Sequence, residues 1–214
     1  MSLPAGFRPF DGDEPCSEAD QNQWDGNQRR TFARVIRRAY EGTQLDPAEV
    51  ALWHRELLEG LSYVPAPCYL GGYRGSEHPW LKDYEVGVGD SEGVRSDRVA
   101  MELEMFFTEL SRQIRNLSAT LHLEHPKTRE QMRHVAELAG WSHGEWVRLH
   151  PFANGNGRIA RLLANYVLAW FRLPPRVRLR PRPDLPYELL AKDSMQGDHH
   201  RTVEWIFQLL EETD

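Results

Sequence analysis

From residue 21 onward, apolar side chains recur every three to four positions in one segment after another, and this helical period constrains the chain more than any other feature. Residues 21–40 carry Trp24, Phe32, Val35, Ile36 and Tyr40 and stop at Gly42. Asp46-Pro47 supplies a cap and a first-turn proline for a second helix with Val50, Leu52, Trp53, Leu57 and Leu58 as its buried stripe. The pattern returns over 96–117, 128–149 and 157–171, and helices over 187–192 and 200–212 close the chain. Gly140 and Gly144 weaken the continuity of the 128–149 element. Tyr84, Val86 and Val88 alternate as a strand does, within a stretch from 65 to 93 punctuated by Gly and Pro, which predicts one short hairpin. The expected fold class is therefore mostly α: a helical bundle with one small β-hairpin. Residues 1–20, rich in Pro and acid, are expected to be an irregular segment without chemistry, and 21–214 one helical domain.

A chain of 214 residues, 40% hydrophobic and 27% charged, is a globular protein that buries a core without disulfide staples. The 26 Lys and Arg stand against 32 Asp and Glu, and the resulting charge of −6 argues against nucleic acid or an anionic membrane as partner. Arg176, Arg178 and Arg180 alternate with Val177 and Leu179, which reads as an extended edge with solvated arginines rather than a nucleic-acid patch. Cys16 and Cys68 have no zinc-like spacing, and no secretory or membrane-spanning run is present, so a cytoplasmic location is expected.

Chemistry concentrates in residues 150–161, His-Pro-Phe-Ala-Asn-Gly-Asn-Gly-Arg-Ile-Ala-Arg, which join two helices. Gly155 and Gly157 allow a tight turn and close backbone approach, and the helix that follows offers free N–H groups and the positive end of its dipole. Arg158 and Arg161 lie on one face of that helix, with Asn165 a turn further on. An anion nest beside two guanidiniums suits a di- or triphosphate, and His150 at the mouth of the loop can take a proton from an attacking hydroxyl. Taken singly these features are commonplace, since a Gly-x-Gly turn is usually a loop and a histidine at a helix end is usually a cap. Their joint spacing on one loop is what points to a site.

The block resembles the signature of the Fic family (filamentation induced by cAMP), His-Pro-Phe-x-(Asp/Glu)-Gly-Asn-Gly-Arg-x-x-Arg, at every fixed position except the acidic one, where Asn154 stands. Residues 141–149 are similar to the family's preceding helix. Gly71-Gly72-Tyr73-Arg74 is similar to its Gly-x-(Tyr/Phe)-Arg segment, and residues 84–88 fall where its hairpin flap lies. The resemblance, over about residues 53–210, implies a Fic-like helical bundle that transfers a nucleoside monophosphate, commonly AMP from ATP, onto a Ser, Thr or Tyr hydroxyl of a target protein. It implies His150 as general base and Phe152 as a core anchor. Gly155, Asn156 and Gly157 would form the anion hole, Arg158 and Arg161 would hold phosphates, and Tyr84, Val86 and Val88 would dock the target.

Two departures qualify these expectations. The family's acidic residue ligates the Mg²⁺ that bridges the phosphates; Asn154 offers one neutral oxygen instead, a weakened metal site. The alternative is accordingly a Fic-fold nucleotide-binding protein with little or no transfer activity. The family's inhibitory helix, (Ser/Thr)-x-x-x-Glu-(Gly/Asn), has no match, because Glu41-Gly42, Glu59-Gly60 and Glu92-Gly93 follow Arg37, Arg55 and Val88 at the fourth position back. Either a separate antitoxin-like protein restrains this chain or it has no such brake.

Overall fold

A computed structural model describes residues 4–10, 17–88, 90–123, 125, 127–180, 183 and 187–212. Seven α-helices occur among them: α1 (Glu18–Tyr40), α2 (Pro47–Leu58), α3 (Val99–Ser118), α4 (Arg129–Leu149), α5 (Asn156–Trp170), α6 (Tyr187–Met195) and α7 (His200–Glu211). The mostly helical class expected from the periodicity is the observed one. No helix among the described residues is long and apolar enough to cross a membrane.

The caps explain where the elements begin. Ser17 accepts from the Asp20 N–H and starts α1 three residues before the expected boundary, while Asp46 accepts from the Glu49 N–H ahead of Pro47 in α2. Thr128 and Gln131 form a reciprocal capping box at the start of α4.

Helix α4 runs unbroken through Gly140 and Gly144, and the reason is tertiary. A Cβ on Gly140 would lie 2.7 Å from Cα of Val203, and one on Gly144 would lie 2.4 Å from Nδ1 of His199. These glycines let α7 and the turn before it approach the backbone of α4, and that packing outweighs their low helix propensity.

Helix α5 is the centre of the molecule. Ile159, Leu162, Leu163, Ala164, Tyr166, Val167, Leu168 and Ala169 are all fully buried, and so is Asn165 on the polar side. An element covered on every face packs against α4 and α1 and leaves only its N-terminal turn for function. Its polar side is covered by residues 173–180. Asn165 Nδ2 donates to the Val177 carbonyl (2.7 Å) and Oδ1 accepts from the Val177 N–H (3.1 Å), so a side-chain amide does what a neighbouring strand would do. Val177 and Leu179 turn inward and Arg178 outward, as their alternation predicts. Arg176 and Arg180, by contrast, are half-buried rather than solvated, and Arg180 lines the cavity described below and donates to Asp25 (3.3 Å).

The hairpin is shorter than the alternation suggests and displaced toward the C-terminus. Gly87–Val88 (β1) pairs antiparallel with Ser91–Glu92 (β2), in the register Gly87 to Glu92 and Val88 to Ser91. Tyr84 and Val86 precede it, although the Val86 carbonyl still accepts from the Gly93 N–H (3.1 Å).

Candidate active site

The turn between α4 and α5 is held from below by an aromatic stack. Phe152 is fully buried, with the His54 ring 3.8 Å from its own on one side and the Tyr73 ring 4.5 Å away on the other. Tyr73 and Phe152 also pair as an isolated antiparallel bridge. Asn156 closes the loop on this anchor: Oδ1 accepts from the Phe152 N–H (3.0 Å) and Nδ2 donates to the Phe152 carbonyl (2.8 Å). Its side chain is thus engaged as a staple, which leaves its backbone N–H, at the start of α5, as the group it can offer a ligand.

Burial pushes the His54 pKa down to about 3, so the imidazole is neutral. Nδ1 accepts from the Gly71 N–H (3.0 Å), which leaves the proton on Nε2 to donate to the Asn154 carbonyl (2.9 Å). Gly155 follows with φ +81°, a conformation glycine adopts without strain, and a Cβ there would lie 3.1 Å from Nε2 of His54. As cap of α5, Gly155 brings no side chain over the helix start.

His150 ends α4 in the left-handed region, φ +48°. Its Nδ1 donates to the Val147 carbonyl (3.0 Å), so the neutral ring carries its proton there and keeps Nε2 as an acceptor. Burial, with the nearby Arg74 charge as a smaller contribution, lowers its pKa below the ordinary histidine value. Arg74 fixes this corner. Fully buried, it donates to the carbonyls of His150 (2.8 Å), Leu149 (3.2 Å), Val94 (2.7 Å) and Tyr84 (3.0 Å), placing a cation at the negative end of α4 and tying the hairpin's base to it.

These parts enclose a cavity of about 530 Å³. Its described walls include His150, Asn154, Gly155, Asn156, Gly157, Arg158 and Arg161, together with Tyr84, Val86 and Gly87 at the hairpin. The expected site residues therefore converge on one cavity, apart from Val88, whose side chain lies outside what the structure describes. The two arginines differ. Arg158 is half-buried, stacks 4.9 Å over the Trp24 ring and donates to Asn154 Oδ1 (3.1 Å). Arg161 is buried and donates to the Leu179 carbonyl (3.1 Å) and the Tyr187 hydroxyl (2.9 Å). That hydroxyl also lies 2.9 Å from Nε2 of His143, whose pKa burial and the Arg161 charge lower to about 3.

The sequence reading did not place Phe10, Trp24 or Tyr187 at the site, yet all three line the cavity. The available signal was aromatic: Phe7 and Phe10 stand in a segment that would have no use for them if it trailed in solvent. The Tyr84 hydroxyl accepts from the Phe10 N–H (3.2 Å), a contact the alternation does not reveal.

Comparison with known proteins assigns the arrangement. Residues 44–168 match the Fic/DOC family. The chain belongs to that family. Over 84 residues it is 37% identical to a protein adenylyltransferase Fic of Nematostella vectensis, covering 39% of this chain and 19% of that relative. Over 93 residues it is 33% identical to the protein adenylyltransferase Fic of Drosophila melanogaster, covering 44% and 18%. The match thus spans about a fifth of the length of these curated relatives. A Fic-domain-containing signaling protein of Bacteroides thetaiotaomicron superposes with a TM-score of 0.55 at 17% identity, covering 96% of this chain and 80% of that one, a likeness of fold.

A divalent cation fits the Asn154 side chain poorly. Its oxygen accepts from the Gly155 N–H and from Arg158, and its amide nitrogen is a donor. Among the described lining residues the one carboxylate is Glu85, which accepts from Arg74 (3.2 Å) and from the Ser96 N–H (3.0 Å).

Proposed function

We propose that this chain transfers a nucleoside monophosphate, AMP from ATP in the first instance, onto a Ser, Thr or Tyr hydroxyl of another protein. The observation that carries the reading is His150: its Nδ1–H is engaged by the Val147 carbonyl, so Nε2 is unprotonated at the wall of a cavity that also presents the start of α5 and two arginines. The relatives named protein adenylyltransferase support AMP as the group transferred.

In this reading the target hydroxyl gives its proton to Nε2 of His150 as its oxygen bonds to the α-phosphorus. The bond from that phosphorus to the bridging oxygen breaks, and pyrophosphate leaves with the electron pair. The N–H groups of Asn156 and Gly157 and the guanidiniums of Arg158 and Arg161 face the charge that develops. The hairpin edge, whose Val86 and Gly87 line the cavity, receives the target segment as an added strand.

The test is co-expression with a host proteome followed by mass spectrometry of the modified peptides. A mass increment of one adenylyl group (AMP less water), absent with His150→Ala, is the expected result. A second reading, a nucleotide-binding protein without transfer, is favoured by Asn154 in the acidic position of the motif. It is the correct one if labelled ATP binds and no protein acquires the label.

A further inference from the structure

We infer that Asn154 is a positioning residue: its amide latches residues 4–10 onto the motif loop and makes Phe10 a wall of the cavity, a role that replaces metal binding at this position. The nucleotide as ligand rests on the function proposed above; the latch does not.

The surroundings of the amide fix its orientation. On the oxygen side stand two donors, the Gly155 N–H and Nη2 of Arg158; on the nitrogen side stands an acceptor, the Phe10 carbonyl, 3.0 Å away. Turning the amide over would set donor against donor and acceptor against acceptor. The residue is held at its backbone too, since His54 donates to its carbonyl (2.9 Å).

Residues 7–10 are anchored at Phe7, at the Arg8 carbonyl and at Phe10, while the Arg8 and Pro9 side chains stay exposed. Phe10 is 2% exposed, with its ring 5.4 Å from Tyr69 and 6.2 Å from Tyr63. Its N–H donates to the Tyr84 hydroxyl (3.2 Å), and the Tyr69 hydroxyl donates to the Arg8 carbonyl (2.5 Å). The Phe7 ring lies 6.0 Å from Trp80 and 5.8 Å from Tyr84. Of these anchors, Asn154 alone joins the segment directly to the motif loop.

An aspartate would break that joint. It could still accept from Gly155 and Arg158, but its other oxygen would face the Phe10 carbonyl, and two acceptors at 3.0 Å repel. The amide and the seated segment therefore belong together: the position gives up an anionic oxygen and gains a donor.

The experiment uses the full chain, first without nucleotide or metal, and reads amide hydrogen exchange over residues 7–10 in wild type, Asn154→Asp, Asn154→Ala and Tyr84→Phe, each shown folded by circular dichroism. Both Asn154 variants should lose protection there by about tenfold or more. Tyr84→Phe, which removes the acceptor of the Phe10 N–H, calibrates the exchange that a released Phe10 shows, and having two Asn154 substitutions keeps the test decisive if one of them does not fold. Calorimetry with ATP then separates latch from metal. With EDTA present both Asn154 variants should bind ATP several-fold more weakly than wild type, because the Phe10 wall is loosened. Wild-type protection in the folded Asn154 variants would overturn the inference. So would an unchanged EDTA affinity combined with a tenfold gain on adding Mg²⁺ to Asn154→Asp, which would show a metal position lacking only its charge. Failure of every protein to bind ATP would sink the nucleotide reading and leave the exchange result to decide the latch.

Discussion

Arg158 and Arg161 carry the same charge three residues apart and both line the cavity, yet their surroundings give them different shares in holding the fold. Arg161 is buried with two designated acceptors, so Arg161→Ala should cost stability, on the order of 1.5–3 kcal/mol in urea unfolding, as the Leu179 carbonyl loses its donor. Arg158 stacks on Trp24 from a half-buried position, and Arg158→Ala should leave stability within about 0.5 kcal/mol while weakening triphosphate binding by about 1.5–3 kcal/mol. Equal stability losses for the two variants would mean that the difference in burial does not govern their roles. His150→Ala should abolish transfer yet bind an ATP analogue almost as wild type does, because a base acts on the attacking proton rather than on the bound phosphates. Wild-type transfer by this variant would place the base elsewhere. The residue types and spacing of this loop were legible in the sequence because a turn, a helix start and a base each demand particular side chains. Which groups take up their hydrogen bonds was not: the Asn156 amide on Phe152, the Asn154 amide on Phe10 and the His54 ring on the Asn154 carbonyl are set by segments far away in the chain.

At the level of elements, helix period located α1 to α7 because each has to bury an apolar side, and the Asp46-Pro47 cap marked the start of α2. Two things escaped that logic. One is that α5 is buried all round, since its polar side chains Arg161 and Asn165 hold residues 173–180 and are covered by them. The other is α4, where Gly140 and Gly144 look like weak points in the sequence and are close contacts in the fold. Alanine at either would be worth up to about 1 kcal/mol in an exposed helix. Here the added methyl of Gly140→Ala meets the backbone of Val203 at 2.7 Å, and overpacking of that kind costs about 1–3 kcal/mol. Gly140→Ala should therefore lower the urea midpoint and raise exchange in α7; a stabilised protein would show that α7 shifts away without cost. The hairpin was located to within a few residues, but the hydrogen bond from the Phe10 N–H to the Tyr84 hydroxyl depends on the N-terminal segment, which no local pattern encodes.

The whole molecule is built around two neutral imidazoles, and this predicts how it responds to acid. His54 holds the motif loop and His143 lies against Tyr187 beneath Arg161, both with pKa values lowered to about 3, chiefly by burial. An unfolded histidine titrates near 6.5, so between about pH 6.5 and 3 the unfolded chain binds protons at these positions that the native chain refuses. Their contribution to stability is complete above pH 6.5 and is lost as the pH falls, by up to about 1.4 kcal/mol per pH unit for each proton. Glu145 does not confuse the upper part of this window. Although burial alone would raise it, hydrogen bonds from His199 and Arg148 hold its pKa at about 2, so its own contribution fades only below the ordinary carboxylate range near 4.5. Urea unfolding measured in steps from pH 7.5 to 5 should thus show a loss approaching about 4 kcal/mol for these two histidines together, already apparent by pH 6, and His150, whose pKa burial also lowers, adds to it with the same sign. Protonating His54 in the folded chain would turn its Nδ1 into a donor facing the Gly71 N–H, but its pKa of about 3 puts that step well below pH 5, so the motif loop should keep its order across this range. Unchanged stability from pH 7.5 to 5 would mean that the native chain takes up these protons readily, and that the two rings are not sealed, neutral supports.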